Sequence, residues 1–301
     1  MLDICMLGTY GMMPLPGRWL SCALLRNGST LTLFDCGEGT QIPWKSLGWG
    51  FRQLGAICFT HMHADHVAGL PGVLFMVAHA GRTEPLHIFG PPGTAYVVEG
   101  LRRIVPELPF PVQIHELKSG EHFALPGGLQ GSCVAASHGV SCLAYRVELV
   151  RKPAFQVEQA RALGLPVQLW SRLQNGEALE YNGELIRPEQ VLGPPRRGIS
   201  LAFITDTRPT KALSELAHDV DLLICESMYD DPGDLPLARA NAHMLAEESA
   251  GIAQDAGAHA LILTHFSPKI VDTSLAERAA RRVFANTRAA RDGMIVTLDY
   301  T

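Results

Sequence analysis

Six consecutive residues, His61-Met62-His63-Ala64-Asp65-His66, hold three imidazoles and a carboxylate. They follow the apolar run 56–59 (Ala-Ile-Cys-Phe), which Gly55 bounds on its other side. An apolar stretch of that length, closed by a polar cluster, reads as a buried strand that stops where the polar side chains begin. His61 and His63, two apart, project the same way from an extended strand end. Asp65 and His66 then fall in the first turn of the next helix and point to a second centre. Neutral imidazole with carboxylate is a donor set for Zn²⁺ or Mn²⁺ rather than for Mg²⁺ alone. One histidine on an apolar segment is ordinarily a satisfied core or surface residue, but no packing argument wants three and an aspartate at one strand tip.

A pair of cations needs about three protein ligands per ion, with positions left for water and substrate. Each pair of side chains above is therefore short of a full set. Apolar strands predicted at 199–205, 220–225 and 259–264 end in Asp206, Glu226 and His265, and His138 follows a strand-like stretch at 129–137 before a glycine-marked break. Taken singly, His138 serves equally as a turn residue, Asp206 as a helix cap before Pro209 and His265 as a loop residue. Taken together, their shared strand-end placement completes the set: Asp206 bridges both ions through its two oxygens, His138 joins His61 and His63, and His265 joins Asp65 and His66. Asp35 ends another apolar strand, 30–36, where a carboxylate can orient a ligand imidazole. His79, His87, His115, His122, His218 and His259 lack such placement and are read as structural.

The elements that must position these residues alternate. Strands are predicted at 2–8, 20–26, 30–36, 56–59, 86–90, 112–118, 121–125, 129–137 and 141–150, with helices at 66–79 and 92–104. After residue 198 the alternation resumes, with helices near 210–218, 241–257 and 274–286 and a last strand at 294–299. Strand–helix alternation broken by runs of strands indicates an α/β sandwich rather than a doubly wound sheet. Between them, 151–198 is rich in proline and glycine, with one short helix near 156–164. It carries seven basic residues against five glutamates, a net positive segment on an acidic protein, and reads as an inserted arm in an otherwise single domain spanning 1–301.

The chain of 301 residues is 47% hydrophobic and 18% charged, with a net charge of -5. A polyanion would therefore have to be met by a local basic face rather than a global field. The seven cysteines occur singly and form no C-x-x-C pair, which favours reduced thiols in the cytoplasm over a disulfide framework. No signal-peptide layout opens the chain and no apolar run approaches the length of a membrane span.

The ligand stretch with His138, Thr205-Asp206-Thr207 and Thr264-His265 resembles the metallo-β-lactamase superfamily. More narrowly, Asp35-Cys36-Gly37-Glu38-Gly39-Thr40-Gln41, the glycine-proline turn Gly69-Leu70-Pro71-Gly72, Gly193-Pro194-Pro195 with Gly198, and Asp206-Thr207-Arg208 resemble the ribonuclease Z family, in order along nearly the whole chain. That resemblance implies an αβ/βα four-layer sandwich, two zinc ions, a homodimer, and hydrolysis of precursor tRNA that leaves a 3′-hydroxyl. It also implies a catalytic histidine in the helix after Glu226, for which His243 is the matching position. A histidine at a helix start near a strand-end carboxylate can be held by it and protonate a leaving 3′-oxygen. Asp65 would orient the attacking water and take its proton, and Lys269 and Arg18 are candidate phosphate contacts.

The chain departs from the family pattern in three places. His243-Met244-Leu245 replaces the usual His-Ser-Thr, Lys269 stands where an arginine is usual, and the Gly-Pro pair of the family's arm is missing around Leu165-Pro166-Val167. They keep a second reaction class in view, a metallo-hydrolase of small phosphodiesters or aryl sulfates on the same dinuclear centre. A module that only binds RNA has no need of seven ligands.

Overall fold

The computed structural model describes residues 1–300. The chain divides into two compact units, one made of Met1–Glu148 and Ser200–Asp299, the other built on Leu149–Ile199. In the first, strands β1 (Leu2–Gly8), β2 (Cys22–Asn27), β3 (Thr30–Phe34), β4 (Leu54–Cys58), β5 (Leu86–Gly90) and β6 (Val112–Glu116) lie side by side in chain order. Pairing is antiparallel from β1 to β3 and parallel from β3 to β6. A second sheet begins with β7 (His122–Leu125), β8 (Leu129–Ala135) and β9 (Leu143–Arg151). After the short β10 (Leu179–Tyr181) and β11 (Glu184–Ile186) of the other unit, it continues with β12 (Arg196–Ile204), β13 (Leu222–Glu226), β14 (Leu261–Thr264) and β15 (Thr287–Ala289), parallel from β12 onward. The last strand, β16 (Met294–Leu298), returns to the first sheet beside β1.

Alternation along each strand sorts its side chains between two cores. Leu31, Leu33, Ile57 and Ile88 meet Trp44, Leu70, Val73 and Val77 on the helices outside the first sheet. Ala202, Ile204, Leu223, Cys225 and Leu263 meet Leu213, Ala250, Ala253 and Ala276 outside the second. The alternate residues fill the space between the sheets. Phe34 stacks on Phe203 at 5.2 Å between ring centroids and Phe89 lies 4.7 Å from Phe123. The buried Tyr145 donates its hydroxyl to the Phe59 carbonyl at 2.6 Å, across the two sheets. Strands apolar on both faces read as continuous hydrophobic runs, which is why they were visible in the sequence. The result is helices, sheet, sheet, helices: the four-layer α/β sandwich.

Two motif blocks serve the backbone. Cys36 N–H donates to the His66 carbonyl at 2.7 Å and Gly69 N–H returns to the Cys36 carbonyl at 2.8 Å. The chains cross so closely that a Cβ on Gly69 would lie 1.9 Å from the Gly37 carbonyl oxygen, and one on Gly37 would lie 2.2 Å from that of Asp65. The break also explains why the helix predicted at 66–79 is two pieces, Ala64–Val67 and Leu70–His79. The helix predicted at 241–257 starts only at Ala246 and runs to Ala256; residues 241–245 form a turn with Ala242 at φ 56°, after a separate helix, Leu235–Ala240, that the sequence reading did not include.

The second unit has its own small core of Ala160, Leu165, Leu173, Leu179, Ile186 and Val191. Helices Val157–Ala162 and Val167–Gln174 precede a hairpin whose turn, Asn182-Gly183, takes positive φ at both residues, the geometry that asparagine and glycine tolerate best. The helix near 156–164 was expected; the second helix was not, because Pro166 at its N-cap reads as a breaker. Among the described residues no helix is long and apolar enough to cross a membrane.

Two glycines test this packing in opposite directions. Gly69→Ala is expected to lower stability by about 2–3 kcal/mol or more, since a backbone atom must move. Gly251→Ala, inside helix Ala246–Ala256 with nothing within 4 Å of the added carbon, is expected to raise it by roughly 0.5–1 kcal/mol. Urea unfolding midpoints of the two variants check both.

Candidate metal centre

The carboxyl ends of the parallel strands of both sheets converge on one edge, and the chain leaves them into the polar residues. Asp35 follows β3, Thr60 and His61 follow β4, Asp206 follows β12, Glu226 closes β13 and His265 follows β14. Asp35, Asp206 and His265 take left-handed backbone angles, φ 57°, 53° and 56°. Such conformations cost about 1–2 kcal/mol in L-residues and collect where structure over-determines the chain.

Among the described residues, four groups of side chains are close enough to share a cation. His61, His63 and His138 form one, Asp65, His66 and His265 another, and Asp206 joins His61 with His66 in a third and His243 with His265 in a fourth. In the first, His61 Nε2 lies 2.9 Å from His63 Nδ1, which lies 3.3 Å from His138 Nε2. In the second, His265 Nε2 lies 3.2 Å from His66 Nε2, and Asp65 Oδ2 is 3.6 Å from His66 Nε2. Asp206 stands between, with Oδ2 at 3.3 Å from both His66 Nε2 and His265 Nε2 and Oδ1 at 3.9 Å from His61 Nε2. His61, His66, Asp206 and His265 form a buried floor, while Asp65 and His138 are half-buried and His63 is exposed.

Hydrogen bonds decide which nitrogens carry lone pairs. Buried Asp35 accepts from Thr60 N–H at 2.8 Å, from the Thr60 hydroxyl at 2.9 Å and from His66 Nδ1 at 2.8 Å. The Thr60 hydroxyl has spent its hydrogen on Asp35, so at 3.1 Å His61 Nδ1 must donate to it. Neutral His61 thus carries its proton on Nδ1 and turns Nε2 into the cluster as an acceptor, and His66, whose Nδ1 proton goes to Asp35, offers Nε2 in the same way once that nitrogen gives up its proton. Imidazole nitrogens crowded this closely around buried Asp206, with His265 Nδ1 left without a hydrogen-bond partner, form a donor set that fits divalent metal ions. The set is nitrogen and carboxylate with no thiolate, and its exposed side leaves room for water and substrate.

Without a bound cation the two imidazoles, His61 and His66, differ in charge. Burial, then the neighbouring His66, keeps His61 neutral, far below the usual imidazole range. Burial also opposes protonation of His66, but Asp206 and Asp35 outweigh it and push its pKa up to about 10. Asp206 stays ionised in spite of burial because His265, His66 and His61 surround it.

His243 lies beside this cluster, its ring 5.4 Å from that of His138 and 5.6 Å from that of His265. It is not on a helix, as the sequence predicted, but in the segment between helices Leu235–Ala240 and Ala246–Ala256. Its Nδ1 donates to buried Glu226 Oε2 at 3.0 Å. Burial works against the proton here too, yet Glu226 raises the His243 pKa to about 9. Asp65 is held by Met12 N–H, which donates to Oδ2 at 2.8 Å. Arg18 stacks over Tyr10 at 4.7 Å and donates to the Ile270 carbonyl at 3.2 Å, and Lys269 is exposed on the turn after His265.

The structure refines the part expected of Asp35: it bonds His66 directly and reaches His61 only through Thr60. The sequence reading passed over Thr60, although a hydroxyl directly before a ligand histidine was a signal for it. The histidines set aside stay outside the cluster. His79 bonds the Phe75 carbonyl, His87 and His115 pair at 3.1 Å, His259 meets Asp219, and His122 and His218 are exposed.

Residues 31–167 match the beta-lactamase superfamily domain. The sequence is 42% identical to ribonuclease Z of Lachnoclostridium phytofermentans over 100% of this chain and 99% of that protein. It is 43% identical to ribonuclease Z of Agathobacter rectalis over 99% of this chain and 98% of that protein. Among solved structures, the metallo-beta-lactamase fold protein YhfI from Bacillus subtilis aligns with TM-score 0.70 at 18% identity, covering 98% of this chain and 99% of that one. The short form of human tRNase Z aligns with TM-score 0.68 at 21% identity over 99% of both chains. At such identities the structural likeness shows the fold alone.

Asp35→Asn tests the support of the cluster. An amide cannot accept from Thr60 and His66 as the carboxylate does, so metal affinity is expected to fall about 10–100-fold. Competition against a chromophoric chelator measures it, with circular dichroism as the control for folding.

Proposed function

The chain belongs to the ribonuclease Z family of the metallo-β-lactamase superfamily, and from that premise we propose that it removes the 3′ trailer of precursor tRNA and leaves a 3′-hydroxyl. The observation that carries this reading beyond the name is the pairing of two ligand sets with a separate histidine–carboxylate dyad, His243 and Glu226, at the same edge. Two metal ions need no such dyad to be bound. A reaction that expels a poor leaving group does need a proton donor beside them.

In this reading His61, His63 and His138 would hold one ion and Asp65, His66 and His265 the other, with Asp206 available to either. Imidazole-rich sets with carboxylate favour zinc, so we assign two Zn²⁺ ions. When bound, they supply nucleophile activation near neutral pH and neutralise phosphate charge. Asp65, oriented by the Met12 amide, accepts the proton of the attacking water. His243, charged through Glu226, gives its Nε2 proton to the departing 3′-oxygen as the P–O bond breaks. Lys269 and Arg18 are the proposed phosphate contacts. Lys269 offers a point charge, and Arg18 must divide itself between phosphate and the Ile270 carbonyl.

The chain is read as one catalytic domain over 1–301 with an inserted arm at about 151–198. The small core of that segment and its net positive charge support a role in gripping RNA phosphates. A homodimer is the assembly the family resemblance implies, and light scattering should give twice the chain mass. Seven buried free thiols suit the reducing cytoplasm.

Wild-type protein loaded with zinc should cut a 3′-extended precursor tRNA, with a 3′-hydroxyl mapped at the new end. His63→Ala should lose both turnover and metal. His243→Ala should lose about 10²–10⁴ in turnover while elemental analysis finds its zinc unchanged. Zinc lost from the second variant would make His243 a ligand, a role its 3.9 Å approach to Asp206 also permits.

A further inference from the structure

The segment 243–245 has no regular structure of its own, yet each of its residues is tied by a side chain from elsewhere. Arg208 Nη1 donates to the His243 carbonyl. Met244 N–H donates to Glu226 Oε2 at 3.1 Å, and Leu245 N–H to Glu248 Oε2 at 3.0 Å. Arg208 and Glu248 are themselves joined as a fork, Nη1 to Oε2 at 2.8 Å and Nη2 to Oε1. The pair is more than three-quarters shielded, with side chains 19% and 23% exposed. Just before the segment, Ala242 is forced to φ 56°, a conformation that relaxes unless something holds it.

Arg208 is also anchored at its other end. Its N–H donates to the Ser137 carbonyl at 3.0 Å, and Ser137 N–H donates to the Thr207 hydroxyl at 2.8 Å. Those residues directly adjoin His138 and Asp206. A rigid planar fork therefore runs from the ligand-bearing strand end to the carbonyl of His243. Lysine could not reproduce it, because it lacks the second parallel donor.

We propose that Arg208 and Glu248 are positioning residues that clamp the 243–245 segment, so that the His243 imidazole stays within reach of the leaving oxygen. This deepens the reading above and rests on His243 as proton donor. In the step concerned, oxygen of water bonds to phosphorus, the bond to the 3′-oxygen breaks with its electron pair on that oxygen, and the His243 Nε2 proton neutralises it. Neither Arg208 nor Glu248 touches the reacting atoms. A displacement of about 1 Å at the donor is enough to cost on the order of 100-fold in rate.

The test uses two substrates of the zinc-loaded protein, precursor tRNA and bis(p-nitrophenyl) phosphate, because nitrophenolate departs without needing a proton. Arg208→Ala and the milder Glu248→Gln are expected to lower kcat on the RNA, the first by about 100-fold, with KM little changed. Both should leave kcat on the nitrophenyl diester within a few fold of wild type and zinc content intact, and Arg208→Lys should recover only part of the loss. Parallel losses on both substrates, or loss of zinc, would overturn the clamp, since general damage to the site does not distinguish leaving groups. Wild-type protein that leaves precursor tRNA uncut overturns the tRNA reading instead. The clamp is then judged by the same comparison between a dinucleotide and the nitrophenyl diester, and equal losses on those two overturn it.

Discussion

Asp35 is a carboxylate with no contact to solvent, at the end of a strand and in a left-handed backbone conformation. Burying such a group costs several kcal/mol unless donors surround it, and here the Thr60 amide, the Thr60 hydroxyl and His66 do so. Of these donors His66 belongs to one candidate ligand set, and Thr60 holds His61 of the other. Satisfying one buried charge therefore fixes the tautomers of His61 and His66 together and turns both Nε2 atoms inward. Without that constraint, several imidazoles at one sheet edge would be free to hydrogen-bond one another and would define no coordination direction.

The fold brings Asp35 and its partners to one place by backbone contact more than by side-chain packing. Parallel strands deliver their carboxyl ends to a common edge, the usual location of sites in open α/β sheets. Glycines 37 and 69 then let the loop after β3 and the turn after His66 exchange hydrogen bonds at a distance no side chain would allow. Three of the left-handed residues, Asp35, Asp206 and His265, lie at this edge, where the buried apolar cores on the faces of the sheets hold the chain in place.

The centre also separates its histidines by environment. Burial beside other imidazoles keeps His61 neutral, whereas Glu226 pushes the pKa of His243 up to about 9. His61 is thereby suited to the proposed part of ligand and His243 to that of proton donor, while His66, raised by Asp206 and Asp35, would have to give its Nε2 proton up to a metal ion.

The sequence by itself determined the candidate ligand types and their place at strand ends, because a histidine–aspartate cluster closing an apolar run has no packing explanation. It determined the sandwich as well, since strands buried on both faces cannot hide their composition. The partners of Asp35, the loop position of His243 and the fork between Arg208 and Glu248 were decided only in three dimensions. The partners of Asp35 and the fork join residues 25 or more positions apart, and helix periodicity continues through the 241–245 break because Met244 and Leu245 are buried as helical residues would be. Pattern reports which side chains avoid water; which polar atoms then face one another depends on how separate strands close, and no local spacing encodes that.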